Sequence, residues 1–117
     1  MAKAVAACQQ PEGYWTRSLL DPEHAPGPET SGTAFFTYGL LWGMNNGFLD
    51  KATYQPVVEK AWKYLTTVAL QPDGRIGYVQ PIGEKAIPGQ VVDANSTANF
   101  GVGAFLLAAC EMVRFLN

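Results

Sequence analysis

The sequence predicts an all-α fold of antiparallel helical hairpins, in which buried inner helices alternate with amphipathic outer ones in the manner of an α/α toroid. Three observations carry this. Two stretches, Glu29–Asp50 and Ser96–Leu116, are apolar almost all the way round at helical spacing, which suits a helix enclosed on every side. Between them Val57, Val58, Ala61, Trp62, Leu65, Val68 and Ala69 make one stripe over Thr53–Leu70, as expected of a helix with one wet face. The same tetrapeptide type, Gln10-Pro11-Glu12-Gly13 and Gln71-Pro72-Asp73-Gly74, follows each outer helix and opens a long loop leading to a buried one. Residues 1–117 therefore read as one domain of about four helices.

Met1–Gln10 is the first outer helix, with Ala4, Val5, Ala7 and Cys8 on a small apolar face, and Pro11-Glu12-Gly13 stops it. Residues 11–29 form a loop rich in Pro and Gly. The first inner helix organises the rest. Phe35, Tyr38 and Trp42 share one stripe, and Phe36, Leu40 and Met44 another. Gly32, Gly39 and Gly43 lie between the stripes at about 1 kcal/mol of helix propensity each, so close approach of a neighbour is expected there. Pro28-Glu29-Thr30-Ser31 is the start signal, with Thr30 and Ser31 as hydroxyl caps and Glu29 as an acid near the positive helix end. Asn45-Asn46-Gly47 is the stop signal.

The outer helix Thr53–Leu70 tolerates Pro56 in its first turn and sets Glu59 and Lys63 as an i,i+4 pair. Residues 71–95 form the second long loop. Asp73-Gly74 is a turn signal there, and Arg75–Gln80 has the pattern of a short strand. In the last helix Gly101, Gly103, Ala104, Ala108 and Ala109 alternate with large apolar residues. Thr33-Ala34-Phe35-Phe36 and Gly103-Ala104-Phe105-Leu106 hold corresponding places in the repeat. Both long loops precede inner helices. A functional face is therefore expected at the mouth formed by the inner-helix N-termini, where backbone N–H groups also favour anions.

The composition narrows the classes. At 48% hydrophobic and 15% charged the chain is rich in core for its length, which points to a piece of a larger core or a self-associating subunit. Eight scattered Lys and Arg and a net charge of -2 argue against nucleic acid and against an anionic membrane surface. The apolar run Val102–Cys110 is too short to span a bilayer. No secretory signal is visible, so a chain complete as it stands is expected in the cytoplasm. Cys8 and Cys110 sit in apolar helical patterns and read as buried free thiols, and the single His24 offers no metal-ligand spacing. No metal or cofactor is expected.

Several blocks agree in order and spacing with one family: Glu29–Ala34 (ETSGTA), Trp42–Gly47 (WGMNNG) and Gly101–Ala108 (GVGAFLLA), with DGRIGYVQPIG between them. The chain resembles the C-terminal part of the unsaturated glycuronyl and rhamnogalacturonyl hydrolases of glycoside hydrolase families 88 and 105. The resemblance implies an (α/α)6 toroid, of which this chain is the last two of six hairpins. It implies a substrate left by a polysaccharide lyase, with a C4–C5 double bond in its terminal uronic acid. An aspartic acid protonates that enol ether, water adds, and the hemiketal opens to release the next sugar. This differs from the paired carboxylates that act at an anomeric carbon. The family's catalytic aspartates belong to segments before this one, so no catalytic residue is assigned here, and the chain alone is expected to be inactive. Its expected partners are a uronic-acid oligosaccharide and either the missing N-terminal part or copies of itself, since a rotational trimer would rebuild a twelve-helix ring. The alternative is a non-catalytic helical module that binds sugar or only self-associates.

Five residues are candidates for substrate binding, each beside a structural role. Trp15 is a sugar-stacking platform or a plug that fixes the loop to the barrel. Arg17 is a carboxylate fork or a solvated cation. Glu29 caps its helix or presents a carboxylate to a sugar hydroxyl, and Ser31 is a cap or a ligand contact. Tyr78 lines the mouth or follows strand alternation. Asp21 and Asp93, at the loop ends, are the acids to test for residual chemistry.

Overall fold

The computed structural model describes Met1–Asn117. Its helices are α1 (Ala2–Ala7), α2 (Thr30–Asn45), α3 (Lys51–Tyr64) and α4 (Asn99–Leu116), with a 3-10 turn at Pro22–His24 and a π turn at Leu65–Ala69 continuing α3. No strand forms. Arg75–Gln80 contributes a single antiparallel bridge, Leu70 to Ile76, because the chain beyond turns away to bond Asp93 and Ser96.

α2 and α4 are parallel neighbours. Ala34 and Ala104, near their starts, share one core cluster, while Leu40, Leu41, Met44 and Met112, near their ends, share another. At the far end Asn45 Nδ2 donates to the Glu111 carbonyl at 3.0 Å and to Glu111 Oε2 at 2.8 Å. α3 returns antiparallel: it begins just past the end of α2, and its Tyr64 hydroxyl meets Thr30 Oγ1 at the start of α2 at 2.8 Å. This is the inner–outer alternation of part of an α/α toroid.

Helix boundaries follow caps that displace the expected ones. Glu29 caps α2 through its own side chain, so Thr30 and Ser31 are helical residues and not the caps. α3 starts at Lys51, ahead of the expected Thr53, because Asp50 Oδ2 accepts from Thr53 N at 2.9 Å and Thr53 Oγ1 at 2.6 Å. α4 starts three residues late because Ser96 is committed to a turn with Asp93. Glu59 accepts from Gln55 Nε2 at 2.8 Å and forms no ion pair with Lys63.

The repeat is structural. Gln10 N donates to Tyr14 O and Gly13 N to Gln10 O, and Gln71 N donates to Arg75 O and Gly74 N to Gln71 O, all at 2.8–2.9 Å. Each turn delivers a buried side chain two residues beyond its glycine, Trp15 and Ile76.

The inner helices are less enclosed than their composition suggests. Phe35 and Trp42 on α2, and Leu106, Leu107 and Cys110 on α4, are exposed, and Cys8 is half-buried. Gly43 and Gly101 do meet close neighbours, Leu49 and Val79, whereas Gly39 and Gly103 face open space. The accessible surface of 6720 Å² exceeds the roughly 6200 Å² of a compact monomer of this mass. Two apolar hollows result. One, of about 440 Å³, lies between Phe35 and Phe100–Cys110, and the other, of about 350 Å³, lies between Met1–Val5 and Phe36–Leu40. The whole of α4, at mean hydropathy 1.4 and 22% buried, is long and apolar enough to cross a membrane, a test that core helices of soluble proteins also pass. The shorter run Val102–Cys110 understated it.

Candidate functional site

Both long loops return to the N-terminus of α2, and Glu29 ties them there. Glu29 is 2% exposed, and its carboxylate accepts four hydrogen bonds. Oε1 takes Ser31 N at 3.1 Å, Ser31 Oγ at 2.6 Å and Gln80 N at 3.0 Å, and Oε2 takes Gly32 N at 2.6 Å. Three of these donors belong to the first turn of α2, where helix N–H groups lack internal partners and favour negative charge. The fourth belongs to the second loop. Beside it Thr30 N donates to Tyr78 O at 2.7 Å, and Thr30 Oγ1 donates to Gly77 O at 2.6 Å. Thr33 Oγ1 accepts from Trp15 N at 3.0 Å and donates to Glu29 O at 2.7 Å, which fixes the first loop to the same helix turn.

Tyr78 is the one non-glycine residue at positive φ, 62°. Its N–H donates to Asp93 O at 2.8 Å while its carbonyl is held by Thr30, so the surrounding backbone dictates a conformation that costs about 1 kcal/mol or more in an L residue. The side chain is half-buried.

The buried Tyr64 phenol closes the network. Burial pushes its pKa well above the ordinary 10.0, against a smaller opposite effect of the Thr30 hydrogen bond. Because the folded state holds this proton more tightly than the unfolded one, its contribution to stability is whole below pH 10.0 and falls as pH rises beyond it. Unfolding by urea is expected to grow easier above that pH, and less steeply so in Tyr64→Phe. Identical pH slopes in the two proteins would rule Tyr64 out as the cause.

The predicted site residues fall into two groups. Trp15, 1% exposed, donates from Nε1 to Val5 O at 2.7 Å and meets Phe36 edge-on at 5.2 Å, so neither ring face is open to a sugar. Glu29 and Ser31 (7% exposed) spend their polar atoms on each other and on backbone N–H groups. Arg17 and Tyr78 are half-buried. Asp21 is exposed, and Asp93 uses its carboxylate within its own turn, accepting from Asn95 N at 2.9 Å.

Only Arg17 borders an open polar cavity. This hollow of about 240 Å³ is enclosed by Gln80–Ile87 and Gln90 of the second loop. A second groove, of about 450 Å³, shares Gln80–Ile82 with it and runs along Ser96–Ala98 to Phe100 at the start of α4, where no side chain caps the helix. The loop residues Glu84, Lys85 and Gln90 carried no periodic or motif signal, and only the fold brings them to Arg17.

The chain matches the Glycosyl Hydrolase Family 88 model over residues 1–116. An unsaturated 3S-rhamnoglycuronyl hydrolase of Formosa agariphila is 45% identical over 97% of this chain and 29% of its own length. A solved glycosyl hydrolase family 88 structure from Bacteroides vulgatus superposes with a TM-score of 0.93 at 78% identity, over 98% of this chain and 33% of that one. A structure described as a polysaccharide lyase superposes with a TM-score of 0.92 at 89% identity, over 98% of this chain and 32% of that one. The chain thus spans about a third of the length of the relatives it matches. It belongs to glycosyl hydrolase family 88.

Proposed function

We propose that this chain forms the C-terminal two hairpins of an unsaturated glycuronyl hydrolase toroid and contributes one sector of its substrate mouth. The reaction is hydration of the C4–C5 double bond of a terminal unsaturated uronic acid, which releases the next sugar. The observation that carries this reading is the 45% identity to an unsaturated 3S-rhamnoglycuronyl hydrolase over nearly the whole chain. Of the acids at the starts of the inner helices, Glu29 is buried under four donors and Asp93 Oδ1 is engaged by its own turn. On this reading the proton comes from residues outside these two hairpins, and the exposed apolar flanks of α2 and α4 are the faces on which the other hairpins pack.

Mixing this chain with the preceding two-thirds of the Bacteroides vulgatus relative tests the reading. The ultraviolet absorbance of an unsaturated disaccharide is expected to fall with the mixture and stay constant with either part alone. Turnover by this chain alone would refute the division of labour. The similarity to a structure described as a polysaccharide lyase favours a second reaction, elimination, which creates the same double bond. Rising absorbance on an intact uronic-acid polysaccharide would select it.

A further inference from the structure

One stretch of the second loop is held far more lightly than the rest. Its base is fixed: Tyr78 N donates to Asp93 O at 2.8 Å, Val79 N to Ser96 O at 2.9 Å and Gln80 N to Glu29 Oε1 at 3.0 Å. Residues 81–92, between these bonds, run out and back so that their two ends meet, as in an Ω-loop. Inside the loop Gln90 N donates to Ile87 O at 3.2 Å. From outside, only Arg17 on the first loop reaches it by hydrogen bonds. The guanidinium donates from Nη1 to Gln90 Oε1 at 3.0 Å and to Ile87 O at 3.4 Å, and from Nη2 to Gln90 O at 3.4 Å. Apolar packing adds little, since Ile82, Ile87 and Val91 are 89%, 51% and 75% exposed. A segment with few buried contacts and few bonds opens at low cost, so the bonds to Arg17 decide how often this one is shut.

The same loop is a wall. The hollow of about 240 Å³ lies between it and Arg17, and its residues Pro81 and Ile82 line the groove of about 450 Å³ that runs to the start of α4. Swinging residues 81–92 outward opens both spaces at once. We propose that residues 81–92 are a lid on this part of the mouth, and that Arg17 is the positioning residue that latches it shut through Gln90. As a closure over sugar the lid rests on the glycoside hydrolase reading; as a latched loop it does not.

Trypsin digestion of the 117-residue chain reads the opening at the bond after Lys85, because cleavage in a loop follows its open population when reclosing is fast. Arg17→Ala and Gln90→Ala are each expected to speed this cleavage about ten-fold, as loss of a charge-assisted hydrogen bond does. The double variant is expected to go no further, since both changes remove one latch. Gln90→Glu gives the guanidinium a carboxylate and is expected to slow the cleavage about three-fold. Cleavage after Lys60, inside α3, reports unfolding of the whole chain and is expected to stay constant. Equal cleavage after Lys85 in all variants, additive effects in the double, or a parallel rise after Lys60 would each overturn the latch. In the mixture with the preceding two-thirds of the Bacteroides vulgatus relative, Arg17→Ala and Gln90→Ala are expected to raise KM by the same factor with kcat unchanged, because the lid is shut for a smaller share of the time. A rise in Arg17→Ala alone would overturn the lid, since the guanidinium would then meet the sugar itself. A mixture that fails to hydrate removes the reaction, while cleavage after Lys85 still decides the latch.

Discussion

Glu29→Ala is expected to destabilise the chain by about 3 kcal/mol, because hydrogen bonds to charged groups contribute about 1.5–3 kcal/mol each and buried donors left unpaired are costly in their own right. Three backbone N–H groups lose their acceptor together, those of Ser31, Gly32 and Gln80. The loss is unevenly shared. The Ser31 and Gly32 donors lie in the first helical turn, where water or the Ser31 hydroxyl can reach them in part. Gln80 N lies on the other loop, and its bond to Glu29 is one of the few that pin that loop to α2. Glu29→Gln keeps one acceptor oxygen but turns an NH2 group toward a backbone donor, so about half the loss is expected from it. Urea midpoints of the two variants measure this. A loss under about 1 kcal/mol in Glu29→Ala would mean that the carboxylate is not the tie between the loops. The same variants should raise amide exchange at Gln80 and Tyr78 before the rest of the chain, since the second loop is the part released.

How far the fold was legible follows from the range of the forces involved. The stop at Asn45-Asn46-Gly47 was readable because it is local: α2 ends at Asn45, Asn46 is the C-cap, and Gly47 takes φ 79°. The tetrapeptide repeat was readable for the same reason, since its hydrogen bonds span four residues. The start of α2 was found, and of the caps read there Glu29 holds while the hydroxyls of Thr30 and Ser31 do not. A glutamate reaching forward to two N–H groups competes with nearby hydroxyls, and its fourth donor comes from residue 80, which no local pattern reveals. Periodicity also overstated burial. Phe35 and Trp42 are spaced as core residues yet are 49% and 43% exposed. Helical spacing records which faces are apolar, and within this chain no element packs over all of them. That both long loops gather at the start of an inner helix was legible from helix order and loop length. The cavity lining beside them was not, because Lys85 and Gln90 sit in an irregular segment that meets Arg17 only at long range.

Gly13→Ala is expected to cost about twice what Gly74→Ala does, or more, although the two glycines hold the same place in the repeated turn. Both have positive φ, 101° and 90°, and both N–H groups bond the glutamine three residues back. The conformational penalty of a side chain is therefore shared, about 1–2 kcal/mol. The surroundings differ. A methyl group at Gly13 would run into the carbonyl of Lys60, with the carbonyl carbon at 2.6 Å and Ala61 N at 3.2 Å, whereas at Gly74 nothing lies within 4 Å. Lys60 and Ala61 are backbone in the middle of α3 and cannot swing aside as a flexible side chain would. Gln9 Nε2 bridges the same contact by donating to Gly13 O at 3.0 Å and Val57 O at 2.9 Å, so moving the turn outward breaks these bonds too. Gly13→Ala should thus lose about 3–4 kcal/mol or fail to fold, a range typical of strain combined with overpacking. Gly74→Ala is the measured reference, at about 1–2 kcal/mol. Equal losses in the pair, read from urea midpoints, would mean that α3 yields to the first loop and that the two turns differ only in sequence. The expected inequality would show that the first copy of the turn is the one wedged against the outer helix, which is how Trp15 comes to be sealed in the core while Ile76 is delivered by a turn left in solvent.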